Sequence, residues 1–276
     1  MRIKNTALSF WSISAIAIAI FILTFLGSCK KEAFDPERTQ TFSLQSTANG
    51  ARYDIKVGLP ADYNPGVVKY ATIYVLDGEA NFDLVARQCQ EMSDQYGVEN
   101  VLVVSIGYGL DRSIDYTPTK VSSTTGGALS FLHFIENQLI PAMEANFSAD
   151  TTRSSRVILG HSYGGLFGAN VFCVDNKLFG NYILLSPSLW YDDLISLKLE
   201  QTTRAENKDK EQLVFMGIGE AENFGRMQAP FEAFYQTLRD HYTATKLLKN
   251  TEKNLGHMGS KDPNIVKGLN FYFQNR

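Results

Sequence analysis

Cysteine and histidine are both scarce here, with three cysteines and four histidines in 276 residues. None of them falls at metal-ligand spacing, which excludes a zinc-finger-like structural site and leaves no cofactor or metal implied. Basic residues are not in excess either: 26 Lys and Arg stand against 29 Asp and Glu. That mildly acidic balance argues against a nucleic-acid partner. No internal repeat and no second domain can be read along the chain, so the 44% hydrophobic content points to a single domain with a large core.

The one long apolar run is N-terminal. Arg2 and Lys4 precede Ala7 to Leu26, and the run ends in Leu26-Gly27-Ser28-Cys29. Small residues before a cysteine resemble the lipobox of bacterial lipoproteins, in which that cysteine is lipidated and becomes the mature N-terminus. An uncleaved anchor is the alternative, because about 20 apolar residues can cross a bilayer. Either way the domain is exported and tethered. The expected division is a lipoprotein signal peptide over 1–28, a charged tether over 29–40 and the folded domain over 41–276, with membrane attachment through lipid on Cys29 at the bacterial cell envelope. Lys30, by analogy with enteric sorting rules, favours the outer membrane. Without Arg2 and Lys4 the balance is 24 basic against 29 acidic residues, a net of −5. Cys89 and Cys173 are read as free core thiols, with a disulfide between them, which export permits, as the alternative.

Chemistry concentrates in Val157 to Gly165, Val-Ile-Leu-Gly-His-Ser-Tyr-Gly-Gly. Branched apolar residues make a short buried strand, and Gly160, Ser162 and Gly164 then fall in the Gly-x-Ser-x-Gly pattern of a nucleophile elbow. A serine at the tip of a sharp strand-to-helix turn has strained backbone, and glycines two residues away avoid collision with the turn. Its hydroxyl is presented at a helix N-terminus, where negative charge is favoured.

Strands and helices alternate around this motif. Thr41 to Leu59 reads as a hairpin with a two-residue turn at Asn49-Gly50. Strands follow at 70–76, 101–106, 182–185, 213–218 and 245–248, and helices at 80–96, 127–147, 166–174, 194–199, 227–241 and 264–273. Gly107 to Gly126 is a long loop, and Thr202 to Glu211 a charged surface segment. This pattern implies a mostly parallel central sheet, an N-terminal antiparallel hairpin and helices on both faces.

A serine nucleophile needs a base. His161 lies within the elbow, and His133 and His241 lie within helices. His257, in the glycine-flanked loop Asn254 to Gly259 after the last strand, is the candidate general base. The acid that orients it belongs after strand 213–218, where Glu220 and Glu222 both stand; Glu222 is chosen and Glu220 remains the alternative. For the oxyanion, the N–H of Tyr163 and that of Glu79, in the Asp77-Gly78-Glu79 turn, are the expected donors, though a plain tight turn explains Asp-Gly equally well.

Several stretches together resemble the Putative esterase family of α/β-hydrolases: Ile73 to Gly78, Arg112 to Pro118 with its Asp-Tyr-Thr-Pro, Gly160 to Gly165, and Ser186-Pro187-Ser188-Leu189-Trp190. The second and fourth are most similar to the siderophore-esterase branch. The resemblance implies the α/β-hydrolase fold and a serine esterase acting through an acyl-enzyme on a small-molecule ester, in that branch a polyester of iron-chelating units. Arg112, Arg226 and Trp190 are the candidate substrate contacts. A carbohydrate esterase that removes feruloyl or acetyl groups, and a catalytically silent ligand-binding lipoprotein, are the competing readings.

Overall fold

The computed structural model describes residues 34–174 and 176–276. The expected signal peptide, Cys29 and the start of the expected tether lie outside them. Phe34 is buried edge-on against Phe82, with 5.8 Å between ring centroids. Residues 34–40 of the segment expected as tether therefore belong to the fold.

Eight strands form one sheet: β1 (Thr39–Gln45), β2 (Arg52–Gly58), β3 (Thr72–Val75), β4 (Leu102–Ile106), β5 (Arg156–His161), β6 (Asn181–Leu185), β7 (Gln212–Gly219) and β8 (Thr245–Glu252). Their order is β1-β2-β4-β3-β5-β6-β7-β8. β1, β2 and β4 pair antiparallel and every other pair is parallel. Successive side chains of a strand leave opposite faces, and the inner strands divide accordingly. Tyr74, Leu102, Val104, Ile106 and Ile158 enter one core. Ile73, Val75, Val103, Val157 and Leu159 enter the other. A strand buried on both faces shows an unbroken apolar run, which is why β4 and β5 are legible in sequence.

The helices are α1 (Gly78–Tyr96), α2 (Arg112–Tyr116), α3 (Ala128–Phe134), α4 (Ile140–Asn146), α5 (Tyr163–Val174), α6 (Tyr191–Asn207), α7 (Ala229–His241) and α8 (Lys261–Asn275). α1 and α8 cover the second core, and α3, α5 and α7 the first. Cys89 and Cys173 sit buried in these two different cores, on opposite sides of the sheet, and both are free thiols.

Four expectations are corrected. The hairpin turn is not two residues long: Ser46 N–H donates to Ala51 O at 2.7 Å, and the loop is closed by the Ser46 hydroxyl, which accepts from the N–H of Ala48 and Asn49. The 107–126 loop contains α2, started by the Asp111 side chain accepting from Ser113 N–H at 2.7 Å. The helix expected over 127–147 passes through a π turn at Ile135–Leu139. Pro141 stands just beyond it and has no N–H to return to a preceding turn. Finally, the helix expected over 194–199 continues as α6 to Asn207, and the charged segment 202–211 that it partly covers lies at the surface as expected, apart from the buried Asn207. Just before that segment Glu200 is buried, with Arg204 Nη2 and the Tyr242 hydroxyl reaching its two oxygens at 2.7 and 3.0 Å.

Candidate active site

Parallel strands all point their C-terminal ends one way, so the loops after β3, β5, β6, β7 and β8 meet at one edge of the sheet. The elbow is the sharpest of these turns. Ser162 takes a left-handed backbone conformation with φ of 59°, a strain of about 1 kcal/mol for a residue with a side chain. Its N–H donates to Leu185 O at 2.9 Å, and its own carbonyl accepts the N–H of Leu166 within α5 and that of Ser188. A Cβ at Gly160 would stand 2.4 Å from the Gly164 carbonyl, so glycine is required there. On the far side, the tighter approach is at Gly165, where a Cβ would meet Pro187 Cα at 2.9 Å, rather than at Gly164, where the nearest atom, Asp77 Oδ2, lies at 3.2 Å.

Two cavities meet at Ser162, and His257 lines both. One, of about 300 Å³, is bounded by Asp77, Ala80, Asn81, His161, Met258 and Lys261. The other, of about 280 Å³, is bounded by Tyr163, Ser188, Trp190, Arg226 and Met227. Arg112 borders both. A larger cavity of about 440 Å³ opens at the N-terminal ends of the strands, beside Lys69, Glu99, Asp150 and Arg276, but no histidine lines it.

His257 Nδ1 lies 2.8 Å from Glu222 Oε2. Because a carboxylate only accepts, the proton belongs on Nδ1, which leaves Nε2 as an acceptor. The other Glu222 oxygen accepts from the Ser186 hydroxyl at 2.6 Å, the Gly219 N–H at 2.9 Å and the Ser260 hydroxyl at 3.3 Å. Burial pushes this carboxyl up, but its hydrogen bonds from His257, Ser186 and Gly219 outweigh burial and hold it below the ordinary carboxylate value. Glu220, the alternative, is exposed, and its side chain caps the N–H of Asn254 at 2.9 Å instead.

Asp77 is left-handed, with φ of 52°, and its N–H is taken by the Tyr116 hydroxyl at 2.9 Å. Gly78 and Glu79 open α1, so their N–H groups precede the first intrahelical acceptor, as does that of Tyr163 in α5. Glu79 borders a separate cavity beside Thr41, Lys56 and Phe82; from this turn only Asp77, Ala80 and Asn81 line the Ser162 cavity.

Arg112 is largely committed within the protein. Its Nε and Nη2 grip the Asp77 carboxylate, the latter at 2.8 Å, and Nη2 also donates to His161 O at 3.0 Å. Burial opposes its charge, but the hydrogen bond and charge of Asp77 prevail and push the guanidinium up. The Tyr108 hydroxyl donates to the same carboxylate. In the second cavity the Arg226 guanidinium lies 3.7 Å over the Trp190 ring. One residue beyond Trp190, after Tyr191, come three consecutive left-handed residues, Asp192, Asp193 and Leu194. That turn is pinned by Thr119 Oγ1 on Asp192 Oδ2 at 2.6 Å and by the Tyr191 hydroxyl on Thr119 O at 2.7 Å. Thus the structure brings Ser162, Tyr163, His257, Glu222, Arg112, Arg226 and Trp190 together and leaves the Glu79 side chain outside.

Sequence reasoning missed Asp77, Tyr108, His161, Ser186 and Ser260. Asp77, His161 and Ser186 lie within the stretches that carry the resemblance, but Tyr108 and Ser260 had no signal. His161 is buried, with Nε2 3.0 Å from the main-chain carbonyl of His257. Burial first, and the neighbouring His257 second, push its imidazole down from 6.5 to about 4. Between those values the unfolded chain binds a proton that the folded chain refuses. Stability is therefore whole above pH 6.5 and falls by about 3 kcal/mol as the pH drops through that window. Urea denaturation of wild type and His161→Gln at pH 7 and pH 4.5 should show the wild type losing more; parallel losses would refute it.

Among the described residues no cluster of His, Cys, Asp and Glu could hold a metal ion. The family model described as Putative esterase matches residues 46–257. Over 226 residues, 75% of this chain and 74% of the relative, the sequence is 31% identical to a siderophore triacetylfusarinine C esterase of Aspergillus fumigatus. Over 231 residues, 75% and 79% of the two chains, it is 28% identical to the ferri-bacillibactin esterase BesA of Bacillus subtilis. The structure of the BES protein from Bacillus cereus superposes with a TM-score of 0.77 at 26% identity, covering 88% of this chain and 98% of that one.

Proposed function

The chain belongs to the Putative esterase family and is an α/β-hydrolase that cleaves carboxylic esters; from that premise we propose that Ser162, His257 and Glu222 are its catalytic triad and that its substrate is a siderophore-type polyester. The observation that carries the triad is the 2.8 Å contact between His257 Nδ1 and the buried Glu222 carboxylate, with Ser162 and His257 lining the same two cavities.

In this reading Ser162 Oγ attacks the ester carbonyl carbon while His257 Nε2 takes its proton. Negative charge gathers on the former carbonyl oxygen, against the N–H groups of Tyr163 and Glu79 at two helix N-termini. The C–O bond then breaks, and His257 returns the proton to the departing alcohol, leaving an acyl-enzyme. Water, deprotonated by the same imidazole, attacks the acyl carbon; the serine leaves and a carboxylic acid is released. Glu222 holds the ring and balances the imidazolium. Two relatives named for siderophore ester hydrolysis support the substrate class, and the Trp190 face with the Arg226 guanidinium suits flat aromatic or anionic acyl units. Export and attachment through lipid on Cys29 complete the reading, supported by the basic n-region, the apolar run and the Leu-Gly-Ser-Cys ending.

The test is a substrate panel. A catecholate or hydroxamate siderophore lactone, a feruloyl sugar ester and an acetylated sugar are compared with the same enzyme. Hydrolysis of the lactone with kcat/KM at least tenfold above the sugar esters is expected; a preference for either sugar ester would replace the substrate assignment.

A further inference from the structure

His161 stands directly before the nucleophile and borders the Ser162 cavity, yet its side chain is almost wholly buried. Nε2 reaches the main-chain oxygen of His257 at 3.0 Å, and the two imidazole centroids lie 4.5 Å apart. A carbonyl only accepts, so His161 carries its proton on Nε2 and donates. Its own main-chain carbonyl accepts Arg112 Nη2, which in turn grips Asp77 at the start of α1. One residue of β5 is thereby tied to the turn on one side of the serine and to the loop on the other.

The loop needs such a tie. His257 lies between Gly256 and Gly259, and neighbouring Met258 is 69% exposed. Its base is fastened by Asn254 N–H on Glu220 and by Ala221 N–H on Leu255 O at 3.0 Å. At the tip, Glu222 fixes only one ring atom of His257. A ring held at Nδ1 alone can still swing about that bond as the backbone shifts, carrying Nε2 away from the serine. The Ser260 hydroxyl, at 3.4 Å from the His257 carbonyl, is a weak second donor.

We infer that His161 is a positioning residue which, through its Nε2–H on the His257 carbonyl, fixes the distance between the Ser162 hydroxyl and the His257 imidazole. The inference rests on the esterase reading above. The side chain takes no part in bond making: it supplies a neutral donor of the right reach, and the low proton affinity that burial gives the ring keeps it neutral at working pH.

Three variants separate positioning from packing. Glutamine places its amide nitrogen about where Nε2 lies and can donate; methionine has glutamine's length without a donor; phenylalanine keeps a ring without a donor. Hydrolysis of p-nitrophenyl acetate, and the rate at which a fluorophosphonate labels Ser162, are the readouts. Expected are a His161→Gln enzyme within about threefold of wild type, and His161→Met and His161→Phe enzymes lowered roughly 30- to 100-fold in kcat and labelling rate with KM within about twofold, the size of effect a 1 Å misplacement produces. Methionine or phenylalanine equal to or better than glutamine would overturn the inference, because packing alone favours them. If neither apolar variant folds, His161→Asn, polar but too short to reach the carbonyl, is read in their place with the same expected loss. A wild type inactive on every ester would defeat the esterase reading itself; an active wild type without the glutamine advantage defeats only this inference.

Discussion

Ser162→Ala lowers kcat for ester hydrolysis by roughly 10⁴- to 10⁶-fold and abolishes fluorophosphonate labelling, while the protein keeps its melting temperature within a few degrees. The loss is large because the hydroxyl is the atom that forms the new bond, and nothing nearby can replace it. Ser188 Oγ is 3.4 Å away and lines the same cavity, but its own backbone is not left-handed as that of Ser162 is, and its N–H is spent on Ser162 O. The fold should survive because alanine removes one oxygen whose hydrogen bond within the described residues is that long one to Ser188. Single-turnover assays with an activated ester, alongside mass spectrometry after fluorophosphonate treatment, measure both effects. Labelling that persists in the alanine protein would move the nucleophile elsewhere.

Glu222→Gln should cost kcat roughly 10³- to 10⁴-fold, whereas Glu220→Gln stays within about twofold. The hydrogen bonds dictate the outcome. Three donors, from Ser186, Gly219 and Ser260, converge on Glu222 Oε1, so an amide placed there must turn its oxygen towards them. Its NH₂ group then faces His257 Nδ1. Two donors cannot share that contact, so the imidazole gives up its Nδ1 proton and carries one on Nε2 instead. A ring protonated on Nε2 cannot accept from the serine. The Glu220 carboxylate accepts from the backbone N–H of Asn254 and has no such leverage. Comparison of kcat for the two glutamine variants decides between the carboxylates, and the reverse ranking would reassign the acid.

The elements that carry this chemistry differ in how far the sequence exposes them. β4 and β5 are buried on both faces and so are written as continuous apolar runs; the elbow announces itself because only glycine fits at residue 160. His257 could be chosen from four histidines because strand order places the base after the last strand. Glu222 is preferred to Glu220 from sequence only for standing farther beyond the strand, and Glu220 stays open as the alternative, because local spacing carries no record of which faces the ring. Asp77 and Glu200 were invisible for a related reason: a carboxylate is read as solvent-exposed unless its partner is known. Those partners, Arg112 and Tyr242, lie 35 and 42 residues away.

What the chain's own order of residues determined was the alternation of strands and helices, the position of the strained serine and the kind of reaction a serine, a histidine and a carboxylate can perform. These follow from side-chain periodicity and from the steric demands of a single turn, both of which act within a few residues. Tertiary structure alone decided which carboxylate holds the imidazole, that the ring of His161 fastens the loop of His257, and that Arg112 is bound to Asp77 rather than left wholly open to a ligand. Each of those depends on a hydrogen bond between segments distant in the chain, and its direction is set by how the sheet brings its strand ends together.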